Sequence, residues 1–483
     1  PDRPVEGRES AAVSDDELMG DAYTPTSGDP RYDVERYALD LKYTPRTNRL
    51  DGIAQLDVRV RKATSALRID LVGLRAKKVR VNGAPHRALK QTPVALTLKF
   101  PDSLAEDARL AVEIEYAGSP GPRRSHWGQI GWEELDDGAL VAAQPTGAPT
   151  WFPCNDRIAN RARYDIRFTT DADFFVAVTG VPGTVTGRGG TRTWAFASEV
   201  PTASYLVAAH VGHYAEYPLH IPLLSGASIG RLVTPPSSSA QMLRAFAPMR
   251  AMVHEFERWF GSYPQEDLTV VVVAEELEIP LESQGLVTFG ANHAAPEEQR
   301  LLAHELAHQW FGNSVAIASW RDIWLNEGFC CFSEWIWSEA SGGPTIAECA
   351  QEHHELLSRL PQDLTLADPG AADMFDDRVY KRGALLLEAL RRTLGDGPFQ
   401  ELLHAWATRN VHQQVSTADF LALASDYAAA PLDQLWQAWL TETKLPKLPK
   451  PREAPKPVRG LPAAAGTKRA RRAAEPAHPP QPR

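Results

Sequence analysis

The chain is poor in cysteine. Cys154, Cys330, Cys331 and Cys349 are its four cysteines in 483 residues. Their spacing builds neither a disulfide framework nor a cysteine-based zinc ribbon. The adjacent Cys330 and Cys331 would pair only under strain. All four are expected to be buried, inert thiols, which suits a reducing compartment. Long apolar runs are missing as well. A membrane helix needs about 18 consecutive apolar residues, and the longest strand-like run, Leu268 to Ala274, is cut off by Glu275 and Glu276. Pro1 to Glu9 lacks the apolar core of a secretion signal. A cytoplasmic location is therefore expected, with secretion after processing as the alternative, because the chain starts at Pro1 rather than Met. A basic body is the third absence. Lys444 to Arg483 carries eleven Lys or Arg against two Glu, so the total of −10 leaves −19 on the remainder. An acidic body argues against a nucleic-acid-binding core and gives a weak attraction for cationic substrates.

What is present is ordinary globular material. The hydrophobic share of 43% and charged share of 23% place the chain among soluble folded proteins, and its length allows two or three domains at roughly 150 residues each. Residues 1–30 are polar and irregular and are expected to form a flexible arm. Period-two alternation then begins: Leu56, Val58 and Val60 alternate with Gln55, Asp57 and Arg59, and Leu110, Val112, Ile114 and Tyr116 with Ala111, Glu113 and Glu115. Half-buried antiparallel strands produce this pattern. Residues 31–215 are predicted to be an all-β domain of sandwich-like sheets.

After Pro235-Pro236-Ser237 the period changes. Helices are expected over Ala240–Phe260, Pro296–Phe311, Ile323–Ala340, Thr345–Arg359, Asp377–Leu394, Phe399–Arg409, Thr417–Tyr427 and Leu432–Thr441, with a strand at Leu268–Val273 and stops at Gly261, Gly312 and Gly395. Residues 216–446 are thus expected to be a mainly helical second domain. Residues 447–483, rich in proline and basic residues, cannot bury a core and are expected to be disordered.

One motif carries chemistry. In His304-Glu305-Leu306-Ala307-His308, residues i and i+4 share a helix face, so both imidazoles can reach one ion. Two solvated or core histidines are the plain alternative. Eighteen residues separate His308 from Glu327, which opens another predicted helix, and Gly312-Asn313 lets the chain turn between them. Two histidines and one carboxylate, with a fourth position left for water, form the ligand set of a catalytic zinc; the absence of thiolates favours zinc over soft-metal sites. Glu334 stands seven residues beyond Glu327, nearly two helical turns, and is placed to orient a metal-bound imidazole; a surface glutamate is the alternative.

Taken together, His304 to Asn313 (HELAHQWFGN), the eighteen-residue gap and Trp324 to Phe329 resemble the aminopeptidase N and leukotriene hydrolase family of zinc peptidases, the gluzincins. The resemblance extends to Gln144 to Ala148, Trp151 to Asp156, Phe260 to Pro264, Val379 to Ala384, and Trp439 to Pro446, so it covers the chain from about Tyr32 to Pro446. It implies a saddle-like β domain followed by a thermolysin-like catalytic domain with one zinc ion. It departs from the family in two places. Ile279-Pro280-Leu281-Glu282-Ser283 stands where the family usually has Gly-x-Met-Glu-Asn, keeping only the glutamate. The sequence also stops where the family's C-terminal helical domain would begin, so a short form without contacts from that domain is expected.

The implied function is removal of N-terminal residues from peptides. Glu305, one residue after a ligand, is the expected general base. Tyr380, from its residues alone an interior aromatic of a helix, is by resemblance the donor to the developing oxyanion. Glu282 and Gln144 are by resemblance the anchors of a substrate's free amine. The expected partners are peptides with a free N-terminus, without nucleic acid or a membrane span. An endopeptidase, or another hydrolase such as an epoxide-opening enzyme, on the same zinc centre is the alternative.

Overall fold

The computed structural model of the protein describes residues 20–295 and 298–450. The expected arm over 1–19, Pro296, Glu297 and the basic tail from 451 onward lie outside the described residues.

The first part of the chain is β-rich. An eight-stranded sheet runs Val181–Arg188, Thr191–Ala203, Arg161–Asp171, Tyr32–Thr44, Arg49–Val60, Arg109–Gly118, Arg75–Val81, Ala84–Pro85. A five-stranded and a three-stranded sheet close over it. Leu56, Val58, Val112, Ile114 and Tyr116 point into one apolar core, while Gln55 and Asp57 face solvent, as period-two alternation requires. Aromatic rings fill that core: Tyr37 stacks on Tyr164 at 5.0 Å between centroids, and Trp132 meets Tyr43 edge-on at 4.8 Å.

Residues 20–30 are a strap, not a flexible arm. Asp21 accepts from the Ser319 hydroxyl at 2.8 Å and the Trp320 N–H at 2.9 Å, tying the strap to the second domain. Asp29 is buried between Arg31 and Asn155. Polar residues read as loop in a sequence; here their side chains satisfy main-chain groups distant in the chain, which local pattern cannot show.

The second part begins on a four-stranded sheet in the order Ala215–Pro222, Ser228–Thr234, Thr269–Val272, Leu286–Phe289, with the last three strands parallel. The run Val270 to Val273 is wholly buried, as a strand covered on both faces must be. Helices then dominate: α1 (Ser239–Ala245), α2 (Met249–Phe260), α3 (Gln299–Ala307), α4 (Trp324–Ala340), α5 (Ile346–Leu357), α6 (Asp377–Leu394), α7 (Asp396–Arg409), α8 (Thr417–Asp426) and α9 (Asp433–Trp436). The single helix expected over Ala240–Phe260 is two, because Pro248 has no N–H to continue the ladder and instead opens α2 as its N-cap. The segment after α3 tightens into turns, with Gln309 bonding Leu306 and Trp310 bonding Ala307, so helix stops short of the expected Phe311. The last expected helix is four α-helical residues followed by a π-turn over Gln437–Thr441. Among the described residues no helix is long and apolar enough to cross a membrane. The four cysteines are free and buried.

The crossing of α4 and α6 sets the distance between their functional residues. It closes on two glycines. A Cβ on Gly383 would stand 2.7 Å from the Cα of Gly328, and one on Gly328 would stand 2.8 Å from the Cα of Gly383. Both obstructing atoms are backbone, so only movement of a helix could make room. Alanine normally favours a helix over glycine by about 1 kcal/mol; overpacking costs typically ~1–3 kcal/mol and decides the sign here. Gly383→Ala is therefore expected to lower stability by about 1–2 kcal/mol, read as a lower denaturant midpoint at constant m-value. An unchanged or higher midpoint would show that the crossing has slack.

Candidate active site

α3 carries His304 near its end, and His308 follows as the C-cap, their rings 4.9 Å apart. Gly312, at φ 107°, reverses the chain, and a short turn at Trp320–Asp322 leads into α4, whose first turn holds Glu327. The Oε2 of Glu327 lies 3.3 Å from His304 Nε2 and 3.4 Å from His308 Nε2. One ligand atom from each of the three residues falls within 4.8 Å of the others. All three are buried.

The outer nitrogens decide the tautomers. His304 Nδ1 donates to Glu334 Oε1 at 2.8 Å, and His308 Nδ1 donates to the Phe311 carbonyl at 3.1 Å. Each imidazole thus offers its Nε2 lone pair to the common point. Glu334 is held in turn by Arg300, whose Nη1 donates to its Oε2 at 3.1 Å. This donor set fits zinc: nitrogen and carboxylate ligands, buried, with outer hydrogen bonds orienting them.

The charges of the chain itself ask for a cation here. Burial works against charge on His304, but hydrogen bonds to Glu327 and Glu334 outweigh it and raise the imidazole to about 9. Burial likewise opposes charge on His308, and Cys330 and Glu327 raise it well above its ordinary value. Burial tends to raise the Glu327 carboxyl, but the two histidines hold it below the usual carboxylate range. The carboxylates thus favour positive charge at the point where a divalent ion would bind. Glu305 differs: burial pushes its carboxyl up to about 7, and its Oε2 has no hydrogen-bond partner. A carboxyl near neutrality with a free oxygen is suited to moving a proton.

These groups line one cleft of about 220 Å³, shared with Gln144, Glu282, Glu334 and Tyr380. Every residue singled out from the sequence therefore stands in the same hollow. Tyr380, on the first turn of α6, lies nearly parallel to the His304 ring at 6.0 Å. Burial first, then the carboxylates of Glu327, Glu282 and Glu305, raise its phenol well above 10, so it keeps its proton. Gln144 comes from the β domain and donates to Glu282 Oε1 at 2.6 Å. Glu282 is not inside a regular strand; only its neighbour Leu281 pairs, through a single bridge to Thr288 on the edge strand Leu286–Phe289.

Three further residues, none of them a site candidate from the sequence, support the cleft. Asn313 donates to the Glu282 carbonyl at 2.8 Å, Gln309 accepts from the Gly285 N–H at 2.9 Å, and Arg300 pairs with Glu334. Gln309 and Asn313 did leave a signal, as uncharged polar residues inside an aromatic run directly after the histidine motif.

A β domain is joined here to a helical domain that gathers two histidines and a glutamate around one point, the donor set of a catalytic zinc site. Residues 33–206 match the Peptidase M1 N-terminal domain and residues 246–439 the Peptidase family M1 domain. The chain belongs to peptidase family M1. An M1 zinc metallopeptidase from Deinococcus radiodurans superposes with a TM-score of 0.83 at 30% identity, covering 90% of this chain and all of that one; a mutant of that protein has been solved bound to a Tyr-Ser-Ala substrate. Native yeast LTA4 hydrolase shares the fold, with a TM-score of 0.73 at 18% identity over 94% of this chain and 72% of its own. Aminopeptidase M1-A of Oryza sativa subsp. japonica is 26% identical over 90% of this chain and 53% of its own length. Puromycin-sensitive aminopeptidase of Caenorhabditis elegans is 23% identical over 92% of this chain and 49% of its own length. The chain spans about half the length of these curated relatives.

A metal ion must displace the protons on His304 and His308 before it binds. A group with a raised pKa holds its proton until the pH passes that pKa, so the apparent zinc affinity should climb steadily as the pH rises from 6 towards the His304 value of about 9. Chelator competition at a series of pH values measures this, and a flat profile would exclude these imidazoles as ligands. Glu334→Gln should lower zinc affinity by about 10- to 100-fold while the fold persists.

Proposed function

We propose that this chain hydrolyses peptides from their N-terminus, releasing one amino acid at a time, with a zinc ion held by His304, His308 and Glu327. The observation that carries the reading is the meeting of Gln144 and Glu282, from two different domains, in the cleft of those three residues. A carboxylate beside the metal-binding group suits a cationic amine. An ammonium that leaves water needs a charged partner, and a fixed pair sets the register of the cut one residue from the end. The D. radiodurans relative bound to a tripeptide and the relatives named as aminopeptidases support the same reading.

Each remaining residue has a separate task. When bound, zinc supplies Lewis acidity that makes water nucleophilic near neutral pH and polarises the scissile carbonyl. Glu305 takes the proton of the attacking water through its unpartnered Oε2 and hands it to the leaving amine. Tyr380, still protonated, donates its hydroxyl hydrogen to the carbonyl oxygen as negative charge develops there. Glu334 keeps the His304 ring in its orientation by accepting from Nδ1.

The deciding comparison is one peptide offered with a free and with an acetylated N-terminus, followed by mass spectrometry. The free form should lose residues stepwise from its end, and acetylation should nearly abolish cleavage. Equal rates, or cuts at internal bonds, would assign an endopeptidase to the same centre. Glu305→Gln and Tyr380→Phe should each reduce kcat by about 10²- to 10³-fold with zinc content unchanged. Near wild-type turnover in the Tyr380 variant would remove that residue from the chemistry.

A further inference from the structure

Arg161 opens the strand Arg161–Asp171, which is paired on both sides within the eight-stranded sheet. Its side chain is half-buried with Nε fully shielded and makes no ion pair among the described residues, and burial lowers the guanidinium to about 10. Its Nη2 donates to the Asn313 carbonyl at 2.6 Å and its Nη1 to the Ser314 carbonyl at 3.4 Å, while its Nε has no partner. A cation buried against carbonyls alone is costly. What it holds is the turn directly after the histidine helix, in the other domain.

That turn leads to Glu282. The Asn313 amide donates to the main-chain carbonyls of Glu282 at 2.8 Å and Ser283 at 3.3 Å, and its Oδ1 accepts from nothing. The Asn313 N–H in turn is tied to the His308 carbonyl at 3.1 Å. Glu282 is thus held at both ends, its carboxylate by Gln144 and its main chain by Asn313. Both supports trace back to the β domain, one through Gln144 and the other through Arg161. Because Leu281 alone pairs with the sheet, regular strand structure holds this segment at one residue only.

We propose that Arg161 is a positioning residue for the amine site: it fixes the Asn313 turn, and the Asn313 amide fixes the main chain that presents the Glu282 carboxylate. The proposal rests on the aminopeptidase reading above. A planar fork holds two successive carbonyls in fixed geometry, whereas an ammonium is a point charge on a flexible stem, so lysine should support the turn in part and glutamine poorly. A residue that only glued the domains together would alter stability without favouring one binding group over another. A positioning residue acts through Glu282 and loses its effect once that carboxylate is gone.

A double-mutant cycle tests this on the full chain, using a free amino-acid chromogenic amide, with zinc content and thermal midpoint recorded for each variant. Arg161→Gln should lose on the order of tenfold to a hundredfold in kcat/KM, mostly through KM, at full zinc content, and Arg161→Lys should recover part of it. Glu282→Gln should lose at least as much, and adding Arg161→Gln to it should change little. If the two losses multiply, or if Arg161→Gln keeps wild-type kcat/KM, the proposal is overturned. Full kcat/KM in Glu282→Gln alone would instead overturn the amine-site reading itself, and this proposal with it. Should Arg161→Gln fail to fold, the same cycle run with Arg161→Lys decides between the same outcomes.

Discussion

Four glutamates, Glu282, Glu305, Glu327 and Glu334, share one small cleft with two imidazoles. Packing so much charge away from water is unfavourable unless each group finds a partner, and the way partners are found orders the rest of the site. Glu327 draws on both histidines. Glu334 draws on His304 and Arg300. Glu282 draws on the neutral amide of Gln144 and on no ion pair among the described residues, and Glu305 keeps one oxygen with no partner. The two well-paired carboxylates are held below their ordinary range and the two poorly paired ones are raised. Environment alone thus divides four like residues into two held as carboxylates beside their partners and two shifted towards the neutral form.

Geometry enforces that division. α4 and α6 approach until their backbones touch at Gly328 and Gly383, each next to or near a residue of the cleft: Glu327 beside Gly328, and Tyr380 three positions before Gly383. α3 turns sharply after His308, and the polar turn that follows is held by groups from two domains. The strap at residues 20–30 binds the turn that precedes α4. Rigid helices carry the proposed metal ligands, whereas the proposed amine anchors sit on irregular segments that need hydrogen bonds from outside to stay in place.

Much of this was legible in the sequence because it depends on local period. His304 and His308 share a face wherever a helix forms, and Glu334 follows Glu327 by nearly two turns of the same helix, so their directions were settled before any tertiary contact. The alternation at Leu56 to Val60 is local in the same sense. The Pro248 break was legible too, but a continuous helical period masked it.

By itself, then, the sequence determined which residues could share a face, where helices and strands would run and which donor types were on offer, since these follow from backbone periodicity and side-chain chemistry. The tertiary structure decided which faces meet. The pairing of Gln144 with Glu282 spans 138 positions, and the hold of Arg161 on Asn313 spans 152. No pattern of neighbouring residues encodes such contacts, because they arise from the packing of one domain against another. The same holds for the strap, whose polar residues look like loop until the groups they bond are brought beside them.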